Sequence, residues 1–152
     1  MLAALALLSV SCEKPADHTG DMTGDLYGRW ILDTKTVVSR LSGTPTTTET
    51  SFAGDNFILY LYEPRLAFAQ EGTLLTFDID DVDAGTFSFN ADQRKITFDK
   101  TLRLVKGFLT DKTMTLSGTF DVVELTQNAL VIRQEDITST TTTYAYHKVA
   151  TE

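Results

Sequence analysis

From Leu26 onward, apolar residues recur at every second position. Trp30 and Leu32 share one face of a strand that runs to about Val38, with Ile31 and Asp33 on the other. Leu75, Phe77 and Ile79 alternate with Thr76, Asp78 and Asp80. Phe87 and Phe89, then Ile96 and Phe98, then Leu102 and Leu104, keep the same rhythm. Met114 and Leu116 lead through Gly118 to Phe120 and Val122, and Leu130 and Ile132 follow. Thr140 to Val149 alternates threonine with Tyr144 and Tyr146. A period of two marks strands with one face buried. The Leu66–Gln70 stretch fits either a short strand or one helical turn, and no other stretch carries a helical period.

Turn residues separate these runs. Asp81-Val82-Asp83-Ala84-Gly85 and Asn90-Ala91-Asp92-Gln93 read as turns, and Gly107 to Lys112 as a break. Thr44 to Thr50 suits an edge strand or exposed hairpin, with Pro45 limiting its pairing. Roughly eight to ten short strands spaced in this way predict an up-and-down barrel or a sandwich. Closing a meander into a barrel removes its exposed edges. The expected fold is all-β: a single antiparallel up-and-down β-barrel. Its inward set is Trp30, Leu32, Phe77, Ile79, Phe87, Phe89, Ile96, Phe98, Leu130 and Ile132.

The 152 residues suit one domain. A net charge of −8 argues against a nucleic-acid partner, whose phosphates need a basic surface, and against electrostatic binding to anionic lipid. The N-terminal stretch differs from the rest. Residues 1–11 carry no charge, and their apolar run is shorter than the ~20 residues that span a bilayer. They read as a signal peptide ending in small residues. The only cysteine, Cys12, follows at once. Leu8-Ser9-Val10-Ser11-Cys12 resembles a bacterial lipobox, with Ser9 where leucine is usual, so Cys12 is the expected lipidation site. Residues 12–25, with Pro15, Gly20, Gly24 and scattered charge, read as a flexible tether, and 26–152 as the barrel domain.

Gly28-Arg29-Trp30 opens the first strand as Gly-x-Trp does in lipocalin-type calycin barrels. Gly85-Thr86-Phe87-Ser88-Phe89 with Lys95-Ile96-Thr97-Phe98 resembles a mid-chain hairpin of that group. The segment from Phe120 through Leu125-Thr126 to Ile132 resembles its closing hairpin. Together with the lipobox-like start, the chain resembles the lipocalin-like small lipoproteins of Bacteroidetes. That resemblance implies a β-barrel lipid-anchored in the bacterial cell envelope. It implies no particular ligand, since fold does not fix function.

Candidate chemistry is sparse. His18 lies in the tether, and His147 is the sole histidine of the barrel domain. One histidine builds neither a zinc site nor a serine triad. Asp78, Asp80, Asp81 and Asp83 lack the spacing of a calcium loop and read as a solvated acidic hairpin. Glu71, Glu124 and Glu135 read as surface acids. The expectation is therefore no catalytic residue, no metal and no cofactor. Gly28 and Trp30 are expected to plug one end of the barrel. A small apolar or amphipathic ligand would bind at the other, with Tyr60, Tyr62, Tyr144 and Tyr146 as the first candidates, each an apolar ring with a polar tip. The alternative is a filled barrel that contacts another envelope protein. Replacing Cys12 with serine should move the protein from the membrane fraction to the soluble fraction. Retention in the membrane after that change would rule out lipidation at this site.

Overall fold

A computed structural model of the chain describes residues 22–41, 43–62, 66–71, 82–106 and 112–149. These residues form nine strands: β1 (Gly28–Ser39), β2 (Thr46–Ser51), β3 (Phe57–Tyr62), β4 (Leu66–Glu71), β5 (Val82–Asn90), β6 (Lys95–Lys106), β7 (Lys112–Leu125), β8 (Ala129–Glu135) and β9 (Thr140–Lys148). All neighbours pair antiparallel, and β1 pairs with β9 to close the sheet. On its other edge β1 pairs first with β3, from Gly28 to Ile31, and then with β2, from Thr34 to Ser39. Thus β2 and β3 act as two halves of one broken strand. The molecule is a closed up-and-down barrel of eight strands.

An interior of this circumference is just wide enough for side chains to fill. Trp30, Leu32, Leu59, Leu61, Ile96, Val122, Leu130 and Ile132 point into it with no exposed surface. Phe87, Phe98, Phe120, Tyr144 and Tyr146 are nearly as enclosed. β4 contributes only Ala67 and Ala69 to this cluster, facing Leu61 and Leu59 across the ladder. Small residues on one strand thus make room for large ones on the next. The outer wall carries Lys95, Thr97, Thr119, Asp121 and Arg133. On β6 to β8 the outer wall is thus polar, whereas where β1 pairs with β3 it carries Ile31, Ile58 and Tyr60.

Several expectations need amending. Leu66–Gln70 is strand, because it pairs with β3 and β5 on both edges. Val82 to Gly85 is not a turn: it pairs with Gln70 to Ala67 and opens β5. Phe89 is only partly buried, packed against the edge of the core. Phe77 and Ile79 lie outside the described residues. Residues 22–25, expected within the tether, are engaged with the barrel. Met22 bridges Leu125, and the Gly24 amide donates to the Leu125 carbonyl at 2.9 Å.

The lower end, where β1 begins, is sealed by Trp30. Its indole N–H donates to the Leu26 carbonyl at 2.9 Å, which removes the cost of burying that polar group. Lys148 lies over the ring, 4.8 Å from its centroid, and donates to the Asp25 carbonyl at 2.7 Å. Gly28 holds φ +140°, and a Cβ there would sit 3.0 Å from Lys148 Cε. Glycine is needed both for the backbone and for the lysine that covers the indole. Trp30→Ala should cost about 3–5 kcal/mol of unfolding free energy, the range for emptying a large aromatic core site. Denaturant unfolding measures this, and an unchanged midpoint would contradict the plug.

Candidate functional site

The upper end, where β1 finishes, is built differently. Between Leu32 and Thr34 the pairing of β1 with β9 slips by one residue. Leu32 faces Tyr146, but Lys35 faces Tyr144, so Asp33 is a bulge. A one-residue slip exchanges the two faces of a strand. Simple alternation from Trp30 would put Lys35 outside; the bulge turns it inward beside Tyr144. Its ammonium donates to the Thr113 carbonyl at 3.1 Å and to the Thr113 hydroxyl at 3.0 Å. It also lies 5.8 Å from the centroid of the Tyr144 ring. Among the described residues no carboxylate pairs with it. Burial pulls the Lys35 pKa below its usual value, because a half-enclosed ammonium loses hydration.

Thr113 belongs to a two-stranded ribbon formed by the upper parts of β6 and β7. β5 pairs with β6 only up to Phe98, and β8 pairs with β7 only from Asp121. Above those points Leu102–Lys106 and Lys112–Leu116 pair only with each other among the described residues. The junction is irregular: three residues, Asp99 to Thr101, stand opposite Ser117 alone. Gly118, at φ +76°, supplies the bend. The ribbon's Leu102, Leu104, Met114 and Leu116 are buried in the core cluster.

Side chains tie the ribbon to its surroundings. The Tyr144 hydroxyl accepts from the Thr115 N–H at 3.0 Å and donates to the Thr115 carbonyl at 3.3 Å, as a paired strand would. Gln134 donates to the carbonyls of Ser117 and Thr119 at 2.8 and 3.0 Å. The Tyr146 hydroxyl donates to the Met114 sulfur at 3.2 Å. On the far side Asp55, in the break between β2 and β3, accepts from Lys112 at 2.7 Å and meets Lys106 at 3.2 Å. The Lys112 hydrogen bond, then that of Lys106, holds the Asp55 carboxyl below its usual range against the opposing effect of burial. β6 and β7 thus touch β9 and β1 on one side and the β2–β3 break on the other, so the ribbon lies across the mouth.

The structure separates the four candidate tyrosines. Tyr144 and Tyr146 are inside, stacked along β9 with ring centroids 6.4 Å apart. Burial raises the pKa of both, Tyr146 the more. Tyr60 and Tyr62 are not inward. Leu59 and Leu61 take the interior positions of β3, and Tyr60 lies outside the core cluster, opposite Arg29. Their level is also that of Trp30, at the lower end. His147 is exposed on the outer wall, with Nδ1 2.7 Å from an Asp33 carboxylate oxygen. Cys12, His18, Asp78, Asp80 and Asp81 lie outside the described residues. No cluster of three metal-ligating side chains occurs among the described residues. Alternation alone misses Lys35, Gln134 and Asp55; a bulge and a strand break place two of them at the mouth.

The fold defines a class, the closed up-and-down barrel of eight antiparallel strands. No family model matches the chain, and neither a curated protein nor a solved structure matches it.

Tyr144→Phe removes the phenol without removing the ring. It should cost about 1–2 kcal/mol, the usual penalty for hydrogen bonds lost at part-buried groups. It should also speed amide hydrogen exchange in the ribbon more than in Ile96 or Val122. Uniform acceleration would show that the ribbon does not open on its own. Asp55 should add a pH dependence. Its folded pKa is lowered, so its contribution is full above the ordinary carboxylate pKa of about 4 and is lost as pH falls through the folded value. In Asp55→Asn, ribbon exchange should be faster at pH 7 and should lose that acid-side change.

Proposed function

We propose that this chain is a non-enzymatic envelope lipoprotein, anchored through Cys12, that takes a small apolar or amphipathic molecule at the upper end of its barrel. One observation carries this reading. The lower end is closed by a fully buried indole, whereas the upper end is covered by a ribbon that, among the described residues, is tied to the rest of the barrel through side chains. A two-stranded ribbon is marginally stable alone. It can lift without breaking the closed ladder from β7 through β9 to β1. The non-enzymatic part of this reading is in keeping with His147 standing exposed on the outer wall. It also fits the raised pKa of Tyr144 and Tyr146, which disfavours their acting as bases.

A second reading rests on an equally specific observation. The core side chains with no exposed surface leave no space that a water molecule could touch beside them. A barrel filled in this way would serve as an accessory module that meets another envelope protein through its rim. Leu41 and Ile137 project into solvent from adjacent upper turns, joined by the Arg40 amide to the Ser139 carbonyl at 3.2 Å. A neutral fluorescent probe, N-phenyl-1-naphthylamine, separates the two. Saturable binding of about one probe per chain, weakened when Leu104 or Met114 is changed to a charged residue in a still-folded variant, is the expected result. Absence of saturable binding to the folded wild type would favour the filled accessory barrel.

A further inference from the structure

We propose that the ligand is a single-chain amphiphile with an anionic head, and that Lys35 is its anchor. This rests on the ligand-binding reading above and names the chemistry of the same site. The argument begins with the present partners of the ammonium. Both hydrogen bonds from Lys35 go to Thr113, which is part of the ribbon. Any opening that admits a molecule therefore strips the ammonium of both. It is then left at the rim of the apolar core, with the Tyr144 ring beside it and no carboxylate among the described residues to pair with it. Water can solvate it while the mouth is open, but an apolar molecule that displaces this water without supplying a partner leaves a desolvated, unpaired cation, which is costly. A carboxylate or phosphate head replaces the lost carbonyl and hydroxyl with a charge-assisted hydrogen bond, which is the stronger partner.

The tail has an equally defined place. Leu102, Leu104, Met114 and Leu116 are packed against the rest of the core when the ribbon is down. Lifting it uncovers the apolar surface they were covering, and an alkyl chain of similar volume restores that contact. Head and tail thus substitute for the two sides of the ribbon, its backbone edge and its buried face. The head site is not a broad basic patch. It is one cation placed inside the wall by the Asp33 bulge, on a chain whose net charge is −8. That combination selects one anionic group attached to an apolar tail and disfavours free polyanions.

The test compares dodecanoate, dodecyl phosphate, dodecanol and acetate by displacement of N-phenyl-1-naphthylamine or by calorimetry. Wild type should bind the two anionic amphiphiles at least ~10-fold more tightly than dodecanol, which corresponds to a difference of ~1.4 kcal/mol. Acetate should not compete, because the tail supplies most of the contact. A stronger response to the carboxylate or to the phosphate identifies the head group. Lys35→Met should abolish the preference, read as the ratio of dodecanoate to dodecanol affinity within each variant so that loss of a ribbon tie acts on both alike, and Lys35→Arg should restore it. Near-UV circular dichroism checks that both variants keep the packed aromatic core. If dodecanol binds as well as dodecanoate, or if Lys35→Met keeps the preference, the anionic anchor is wrong and the ligand-binding reading stands. If neither dodecanol nor dodecanoate binds the folded wild type, the ligand-binding reading fails and this inference fails with it.

Discussion

The double partnership of β1 is the constraint on which the rest of the structure depends. One edge pairs with β9 from Trp30 to Ser39, and the other pairs in turn with β3 and β2. Closure through β1 removes the two open edges a meander would otherwise present. It also sets the circumference, and so the volume that side chains must fill. Large inward residues on β1 and β9, such as Trp30 and Tyr146, are therefore balanced by Ala67 and Ala69 on β4. Gly85 continues that economy on β5, where the Leu102 side chain comes within 3.6 Å of the position a Cβ would take.

The two ends of the barrel solve one problem by different physics. Below, the chain itself passes beneath the indole. The Leu26 carbonyl satisfies the indole N–H, and Lys148 covers the ring. Each of those contacts lies within a few residues of β1 or on its neighbour β9, so the seal is as stable as the ladder that carries it. Above, the cover comes from strands far away around the barrel. Besides the burial of Leu102, Leu104, Met114 and Leu116, it is held by a phenol, an amide, an ammonium and a carboxylate, which supply about 1 kcal/mol apiece and can be exchanged for other partners. Stability is thus distributed unevenly, and regions of low local stability are where ligand-responsive motion is found.

Alternation made much of the wall legible. Phe87, Ile96, Phe98, Leu130 and Ile132 lie inside because their strands run without a slip through those positions. Trp30 could be assigned to a barrel end because Gly28 precedes it by two. The upper end was not legible in the same way, because period-two reasoning assumes that a strand keeps its phase. β1 loses phase at Asp33, so Lys35 reads as a surface residue until the bulge is seen. The aromatic residues of β3 mislead for the complementary reason. Phe57 and Tyr60 are both buried, and only the pairing of Trp30 with Leu59 shows that Tyr60 is on the outer face. The ribbon is invisible to pattern alone, since Leu102, Leu104, Met114 and Leu116 have the spacing of any wall strand. What distinguishes them is that, among the described residues, no ladder continues beyond β6 and β7 at their level, which is a property of their neighbours.

The irregularities at the upper end form one device. The Asp33 bulge lies where β1 passes from β3 to β2, between the pairs Ile31–Ile58 and Thr34–Ser51. Its carbonyl accepts the Phe52 amide at 2.8 Å, which fixes the break in the second strand opposite the bulge in the first. The chain turns through that break with Gly54 at φ +85° and Asn56 at φ +58°. Asp55 stands between them, where it meets Lys106 and Lys112 of the ribbon. The same bulge turns Lys35 inward to the ribbon's other side. A single extra residue in β1 thus sets the phase that brings Lys35 to the mouth and anchors the break that brings Asp55 there. Removing the bulge would cost the barrel little of its lower core but would leave the ribbon without two of its ties. The position of that one residue, rather than the composition of the wall, is what makes the upper end different from the lower.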